Sequence, residues 1–138
     1  MNAVLPNANF GVVLSDKQPA STGEWPKKLY HGDIELLKSI PPQWMVNVQD
    51  TARLHVAALI DPDVRNERIP AYAYPFNWNG VLACLRKIKP ENKFPNDFPN
   101  NDKDLSEVDN SRGAELKAFG REGWTDLEES VRENVEGL

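Results

Sequence analysis

The chain has 138 residues, 40% of them apolar, with four Trp, five Phe and eleven prolines, a length and composition that fit one domain with a modest core and long connections. A net charge of -5 and a pI near 5.0 argue against nucleic acid and anionic membrane surfaces as partners, because neither field attracts an acidic chain. The single cysteine, Cys84, has no internal disulfide partner, the first residues carry neither a basic stretch nor a long apolar run, and no window approaches the ~20 apolar residues of a membrane helix. A cytoplasmic protein is the expectation.

Asn2 to Leu5 is a short apolar run stopped by Pro6-Asn7, which predicts a brief buried strand in need of neighbours. From Gly11 to Ser39 the composition is that of loop with one helix, where Ser21 or Thr22 caps, Pro26 sits in the first turn and Gly32 ends it. Trp25 and Leu29 then face the core at i, i+4. Gln43 to Gln49 alternates large apolar and polar positions, a strand pattern that runs directly into a helix. Asp50 is the expected N-cap of that helix, and Ala52, Val56, Leu59 and Ile60 its expected apolar stripe, ended by Asp61-Pro62.

Arg68 to Tyr74 predicts a further strand, at an edge or irregular because Pro70 has no backbone donor. Asn79 is the expected cap of a helix running to Lys89, with Val81, Cys84, Leu85 and Ile88 on its inner face; Cys84 is then a packing residue and not a nucleophile. Asn92 to Asp109, rich in Pro, Asn and Asp, predicts a surface loop. Two short helices follow. One runs from about Ser111 to Phe119 and closes at Gly120; the other opens with the capping-box spacing of Thr125-Asp126-Leu127-Glu128 and carries Leu127, Val131 and Val135 on one face. No repeat, low-complexity tract or linker divides the chain, so residues 1–138 are expected to form one domain.

Little in this order of residues points to chemistry. The glycines, at 11, 23, 32, 80, 113, 120, 123 and 137, contain no triplet with the spacing that lets a pyrophosphate approach backbone amides at a helix N-terminus. His31, Asp33 and Glu35 alternate, but Gly32 implies a helix stop and loop there, and no metal site is assigned. His55 is expected to pack, partly buried, beside the apolar stripe of its helix.

The stretch Trp44 to Leu59, Trp-Met-Val-Asn-Val-Gln-Asp-Thr-Ala-Arg-Leu-His-Val-Ala-Ala-Leu, resembles a strand and helix of the extended short-chain dehydrogenase/reductases, within the NAD-dependent epimerase/dehydratase superfamily. The likeness continues through Asn66-Glu67-Arg68-Ile69, Pro75-Phe76-Asn77-Trp78-Asn79, Asp109-Asn110-Ser111-Arg112 and Gly123-Trp124-Thr125-Asp126-Leu127-Glu128-Glu129-Ser130-Val131. It covers nearly the whole chain, corresponds to the C-terminal half of the family, and is similar to fungal dihydroflavonol-reductase-like aldehyde and ketone reductases of secondary metabolism.

This resemblance implies an α/β fold, the C-terminal part of a Rossmann-type extended short-chain dehydrogenase fold, with few short strands, several helices and long loops. It implies NADP or NAD as the family's cofactor and an aldehyde or ketone as substrate. Val4 to Gly11 would be the sixth sheet strand and the turn after it, so Pro6, Asn7 and Asn9 inherit a contact with the nicotinamide end of the cofactor; Trp25, Leu29 and Trp78 line or flank the substrate pocket. The family's proton donor is a Tyr with a Lys four residues later, and here Tyr30, Tyr72 and Tyr74 are followed at that spacing by Ile34, Phe76 and Trp78. No catalytic residue is assigned, and the chain alone is expected neither to bind a dinucleotide nor to transfer a hydride. Pro70 and Gly80 also depart from the family's usual residues and weaken their elements. Beside a truncated reductase, two readings stand: an accessory module that keeps the substrate pocket, and a cofactor-independent cyclase or isomerase working by positioning. With the family's preceding half missing, the Asn2–Leu5 strand has an open edge, which favours a homodimer or association with a full-length reductase.

Overall fold

The computed structural model describes residues 1–15, 17, 20–99, 102–117 and 120–138. Strands β1 (Ala3–Pro6) and β2 (Ala8–Phe10) form one run of chain bent at Asn7, and the bend sends them into different sheets. β1 pairs in parallel with β4 (Arg68–Ala71), Ala3 opposite Arg68 and Pro6 opposite Ala71. β2 pairs in parallel with β3 (Gln43–Asn47), whose other edge takes β5 (Tyr74–Phe76) antiparallel. Parallel partners need long crossovers. The one from β2 to β3 passes through a 3-10 turn (Ser21–Glu24) and α1 (Trp25–Tyr30); the one from β1 to β4 contains that whole unit and ends in α2 (Val48–Ile60). β5 then feeds α3 (Trp78–Ile88), and α4 (Ser111–Lys117) and α5 (Leu127–Asn134) close the fold. Ala118 and Phe119, the last two residues of the expected fourth helix, lie outside the described residues. The core lies between these layers, with Phe10, Leu29, Met45, Leu54, Ile69 and Leu85 fully buried.

Pro70 costs β4 nothing on its paired side. Ala3 N–H donates to Glu67 O at 2.9 Å, and in a parallel ladder the residues facing β1 are then Glu67, Ile69 and Ala71. The donor that proline lacks belongs on the other side, where no described strand pairs, so the expectation of an edge holds. The strand itself ends at Ala71. Ala73 turns to donate its N–H to Met45 O (2.8 Å), and Tyr72 O accepts from Asn110 Nδ2 (2.6 Å).

Four caps differ from the sequence expectation. Neither Ser21 nor Thr22 caps α1, which follows Glu24 without a side-chain cap, the Thr22 hydroxyl accepting from Asn9 N (3.0 Å) instead. Asn47, not Asp50, caps α2, its Oδ1 accepting from Gln49 N at 2.8 Å. Asn77, not Asn79, caps α3 through Gly80 N (2.8 Å), while Asn79 clamps the loop by exchanging hydrogen bonds with Phe98 N (2.8 Å) and O (3.2 Å). Asp126, one residue beyond Thr125, caps α5 through Glu129 N (2.8 Å). The side chains of Asp50 and Asn79 are held by distant partners instead, and that competition is invisible in local spacing.

The apolar stripe of α2 is also reversed. Asp50, Thr51, Leu54, Ala57 and Ala58 face inward, whereas Ala52 is exposed and Val56, Leu59 and Ile60 are 47%, 84% and 55% exposed. The helix is apolar on two sides, and long-range partners for Asp50 and Thr51 select the inward one. His55 lies outward as well, and its Nδ1–H donates to Thr51 O at 2.8 Å.

Candidate functional site

The turn between β1 and β2 is where the chain leaves one sheet for the other, at the carboxyl end of a parallel strand. Such ends, where strand connections diverge, are where open α/β sheets place ligands. Pro6 is exposed there and Asn7 half-buried. Among the described residues no hydrogen-bond partner is found for the Asn7 side chain, which leaves its amide open to a ligand.

Asn9 is engaged on every side. Its N–H donates to Thr22 Oγ1 (3.0 Å), its Oδ1 accepts from Thr51 Oγ1 (2.7 Å) and its Nδ2 reaches Asn7 O at 3.5 Å. Asn9 therefore fixes the turn from within. The far end is held by Asn134, a fully buried residue of α5, whose Nδ2 donates to both Gly11 O and Gly23 O at 2.7 Å. Its Oδ1 finds no partner. Asn47 Nδ2 joins this layer, donating to Ser130 Oγ (3.1 Å) and Glu133 Oε2 (2.8 Å). Thr22, Thr51, Asn47 and Asn134 are the residues that sequence reasoning missed. They serve the turn across 13 to 123 positions of chain, and only Asn47, polar between Val46 and Val48, carried a signal in the sequence.

The expected substrate wall lies beside this turn. Trp25 meets Trp78 edge to face at 5.8 Å, Trp78 meets Phe76 at 5.3 Å, and Phe76 meets Phe10 at 4.9 Å. The aromatic ladder thus runs from α1 to the residue following Asn9, and edge-to-face pairs of this kind are worth about 0.5–1.5 kcal/mol each beyond burial. Trp78 and Leu29 are buried, and the indole of Trp78 donates to Ile40 O at 3.0 Å. Trp25, half-buried, is the member open to solvent. The structure so brings the two expected groups together: Thr22, bonded to Asn9 through both N–H and C=O, sits in the turn that leads into Trp25. Hollows of about 410 Å³ beside Lys27 and His31 and about 450 Å³ beside Ile34 and Phe98 lie outside the ladder.

The charges nearby are paired. Asp50 is wholly buried and accepts from Arg53 Nη1 and from Thr125 N, both at 2.8 Å. Arg121 grips Glu129 with two hydrogen bonds (2.9 and 2.7 Å) and holds its carboxyl below the usual carboxylate range. Burial, with Glu128 and Asp126 adding to it, pushes the Cys84 thiol up, away from an activated thiolate. Lys28 holds Asp33 at 3.1 Å and Lys38 holds Glu35 at 2.6 Å. Among the described residues no three His, Cys, Asp or Glu side chains converge as metal ligands, and no helix is long and apolar enough to cross a membrane.

The residues present fit only one end of a dinucleotide. An exposed Pro6 and an open Asn7 amide suit a nicotinamide carboxamide, but among the described residues nothing cradles a pyrophosphate. Gly11 and Gly23 are both spoken for by Asn134.

No family model matches the chain. In sequence it is similar to aldehyde reductase 2 of Sporidiobolus salmonicolor, 39% identical over 98% of the chain and 40% of that protein, and to ketoreductase adrE of Penicillium roqueforti, 37% identical over 98% of the chain and 41% of that protein. The chain therefore spans about two-fifths of the length of the curated relatives it matches. In fold it is similar to Gre2 from Candida albicans (TM-score 0.75, 22% identity, 98% of this chain and 43% of that one). It is also similar to yeast methylglyoxal/isovaleraldehyde reductase Gre2 complexed with NADPH (TM-score 0.73, 22% identity, 96% and 44%). At such identities the structural likeness bears on the fold alone.

Proposed function

We propose, from a chain that corresponds in sequence and fold to the C-terminal part of a Rossmann-type extended short-chain dehydrogenase/reductase, that it forms the substrate side of an NAD(P)-dependent aldehyde or ketone reductase of fungal secondary metabolism. The observation that carries this reading is the Pro6–Asn7 turn. It stands open at the end of a parallel strand, and the Asn9–Thr22 pair ties it to the helix bearing Trp25. Pro6 and Asn7 meet the nicotinamide end of the cofactor, and Asn9 positions them. Trp25 forms the wall against which the carbonyl compound lies, with Leu29 and Trp78 as its rigid backing. The cofactor supplies the hydride when bound. The chain's own part is to orient both reactants and keep water from them. Its sequence holds no Tyr with a Lys four residues later, so the proton donor must come from outside residues 1–138. The setting is cytoplasmic and the working unit one domain of a larger assembly.

A chimera tests this. The matching region of Sporidiobolus salmonicolor aldehyde reductase 2 is replaced by this chain, and NADPH-dependent reduction of an aldehyde is measured. Activity is expected, with Asn7→Ala raising KM for NADPH and Trp25→Ala raising KM for the aldehyde. A folded chimera without activity, or one whose KM values ignore both substitutions, refutes the reading. The 138-residue chain alone is expected to give no calorimetric NADPH signal.

A further inference from the structure

Ser106 lies between α3 and α4, in a stretch from Asp102 to Asn110 that has no regular secondary structure. Three contacts tie this strap to β3 and to the residues flanking β5. Asn77 Nδ2 donates to Asp102 O at 3.4 Å, the Trp44 indole N–H to Ser106 Oγ at 3.0 Å, and Asn110 Nδ2 to Tyr72 O at 2.6 Å. Leu105, beside Ser106, is 91% exposed. A segment held by single hydrogen bonds, with little apolar burial, opens at low cost.

Acids surround the serine. Asp104 stands two residues before it, Glu107 one after and Asp109 three after. The Ser106 N–H donates to Asp104 Oδ1 at 2.7 Å, and the Ser106 hydroxyl and amide hold that carboxyl below its ordinary value. Ser111 does the same for Asp109. Both are therefore ionised at neutral pH.

An acid three positions after a hydroxyl residue occurs four times in the chain, at Ser21, Ser106, Thr125 and Ser130, and the fold separates these four. Thr125 and Ser130 are 1% and 0% exposed. Ser21 is exposed but wound into the 3-10 turn at a φ of +51°, and its acid, Glu24, is turned back to accept from Ala20 N at 3.1 Å. Of the four, Ser106 alone combines an exposed residue, an unwound segment that an enzyme cleft can take in extended form, and acids on both sides.

We infer that Ser106 is a phosphorylation site for an acid-directed Ser/Thr protein kinase, whose groove offers Lys and Arg to Glu107 and Asp109, and that the phosphoryl group releases the strap from Trp44. Ser106 Oγ attacks the γ-phosphorus of ATP; the new O–P bond forms as the bond from that phosphorus to the β–γ bridging oxygen breaks. ADP leaves, and the hydroxyl proton passes to the kinase's base. The added group carries about −1.5 to −2 charges at neutral pH. It takes the place of the hydroxyl hydrogen, and repulsion from Asp104, Glu107 and Asp109 drives the strap off. Lys103 and Asp104 line a hollow of about 320 Å³ with Phe76 and Asn77, so release widens that hollow beside the aromatic ladder. This inference stands independently of the proposed function.

The 138-residue chain is incubated with magnesium ATP and a kinase that requires an acid three positions after the serine, then digested for mass spectrometry. One phosphoryl group on Ser106 is expected, and none on Ser106→Ala. Asp109→Asn, which keeps an oxygen for Ser111, and Glu107→Gln are each expected to lower the initial rate at least about tenfold. All three side chains belong to exposed residues, so the variants' thermal midpoints are expected within about 2 °C of the unsubstituted chain's. After phosphorylation the Trp44 indole N–H is expected to exchange with solvent at least about tenfold faster, while the Trp78 indole, bonded to Ile40 O, is unchanged. The inference fails if no phosphate is taken up, if it sits on another residue, if Asp109→Asn and Glu107→Gln react at the full rate, or if the Trp44 indole exchanges as before.

Discussion

Gly11 sits at a φ of +110° with the side-chain amide of Asn47 filling the space beside it, so close that a Cβ at Gly11 would lie 2.9 Å from Asn47 Nδ2. The contact joins the end of β2 to the cap of α2, since Asn47 Oδ1 holds Gln49 N. One close approach thus ties the end of the β1–β2 run to the start of α2.

Gly11→Ala combines a positive φ with a steric clash, and each is unfavourable for a side chain. A loss of about 2–3 kcal/mol in urea unfolding is expected, against near-neutrality for Gly32→Asn, where φ is +77° but nothing lies within 4 Å. Equal losses at the two sites would show that backbone strain alone, without Asn47, governs Gly11.

Asp50→Asn strips the charge from a fully buried carboxylate that holds Arg53 and the amide of Thr125. The asparagine NH₂ is then turned toward one of these two donors. We expect about 2 kcal/mol of destabilisation, together with faster hydrogen exchange at Thr125 and in the first turn of α5. Wild-type exchange in that turn would dissociate Asp50 from the anchoring of α5.

Acid should weaken the fold through its carboxylates. The guanidinium of Arg112 holds Glu67 below its ordinary value of 4.5, Arg121 does the same for Glu129, and Lys87 for Glu128. A group whose folded pKa is depressed contributes stability that is complete above its unfolded pKa and is lost as pH falls through the folded one. The thermal midpoint is thus expected flat from about pH 7 to about pH 5.5 and falling below about pH 4.5. These pairs are partly exposed, so molar salt should flatten the fall. A midpoint that rises on acidification would contradict the assignment.

Pro70 and Gly113 make a contrasting pair. Pro70→Val restores an N–H that points away from the β1 ladder, and its effect is expected within about 1 kcal/mol of zero. Gly113→Ala puts a Cβ 2.5 Å from Pro70 O and 3.2 Å from the Trp124 ring. Backbone cannot yield there, so α4 must lift from β4 at a cost of about 2 kcal/mol or more. Denaturant midpoints of the two variants decide it, and a costly Pro70→Val would overturn the register argument.

Much of the architecture was legible in the residues. The strand of Gln43 onward, the helices after it and the Pro26-led α1 followed from alternation, helical spacing and breakers, which are local properties that neighbours only reinforce. Legibility failed wherever one residue had two candidate partners. Asp50 has good capping chemistry, yet its carboxylate is taken by the backbone N–H of Thr125 across 75 positions, leaving Asn47 to cap. Asn79 gave way to Asn77 for the same reason, since its amide holds Phe98.

For the candidate site, the sequence by itself determined the identity of the turn residues, the aromatic positions and the absence of a glycine fingerprint and a Tyr–Lys pair, because these are matters of residue type and spacing. Only the tertiary structure decided their surroundings. Asn9 was expected to touch cofactor, and its side chain is committed to Thr51. Trp25 and Trp78 looked equivalent, and one is open while the other is core. The apolar stripe of α2 was real, but it faces out, because periodicity locates apolar faces and only packing partners choose which of them is buried.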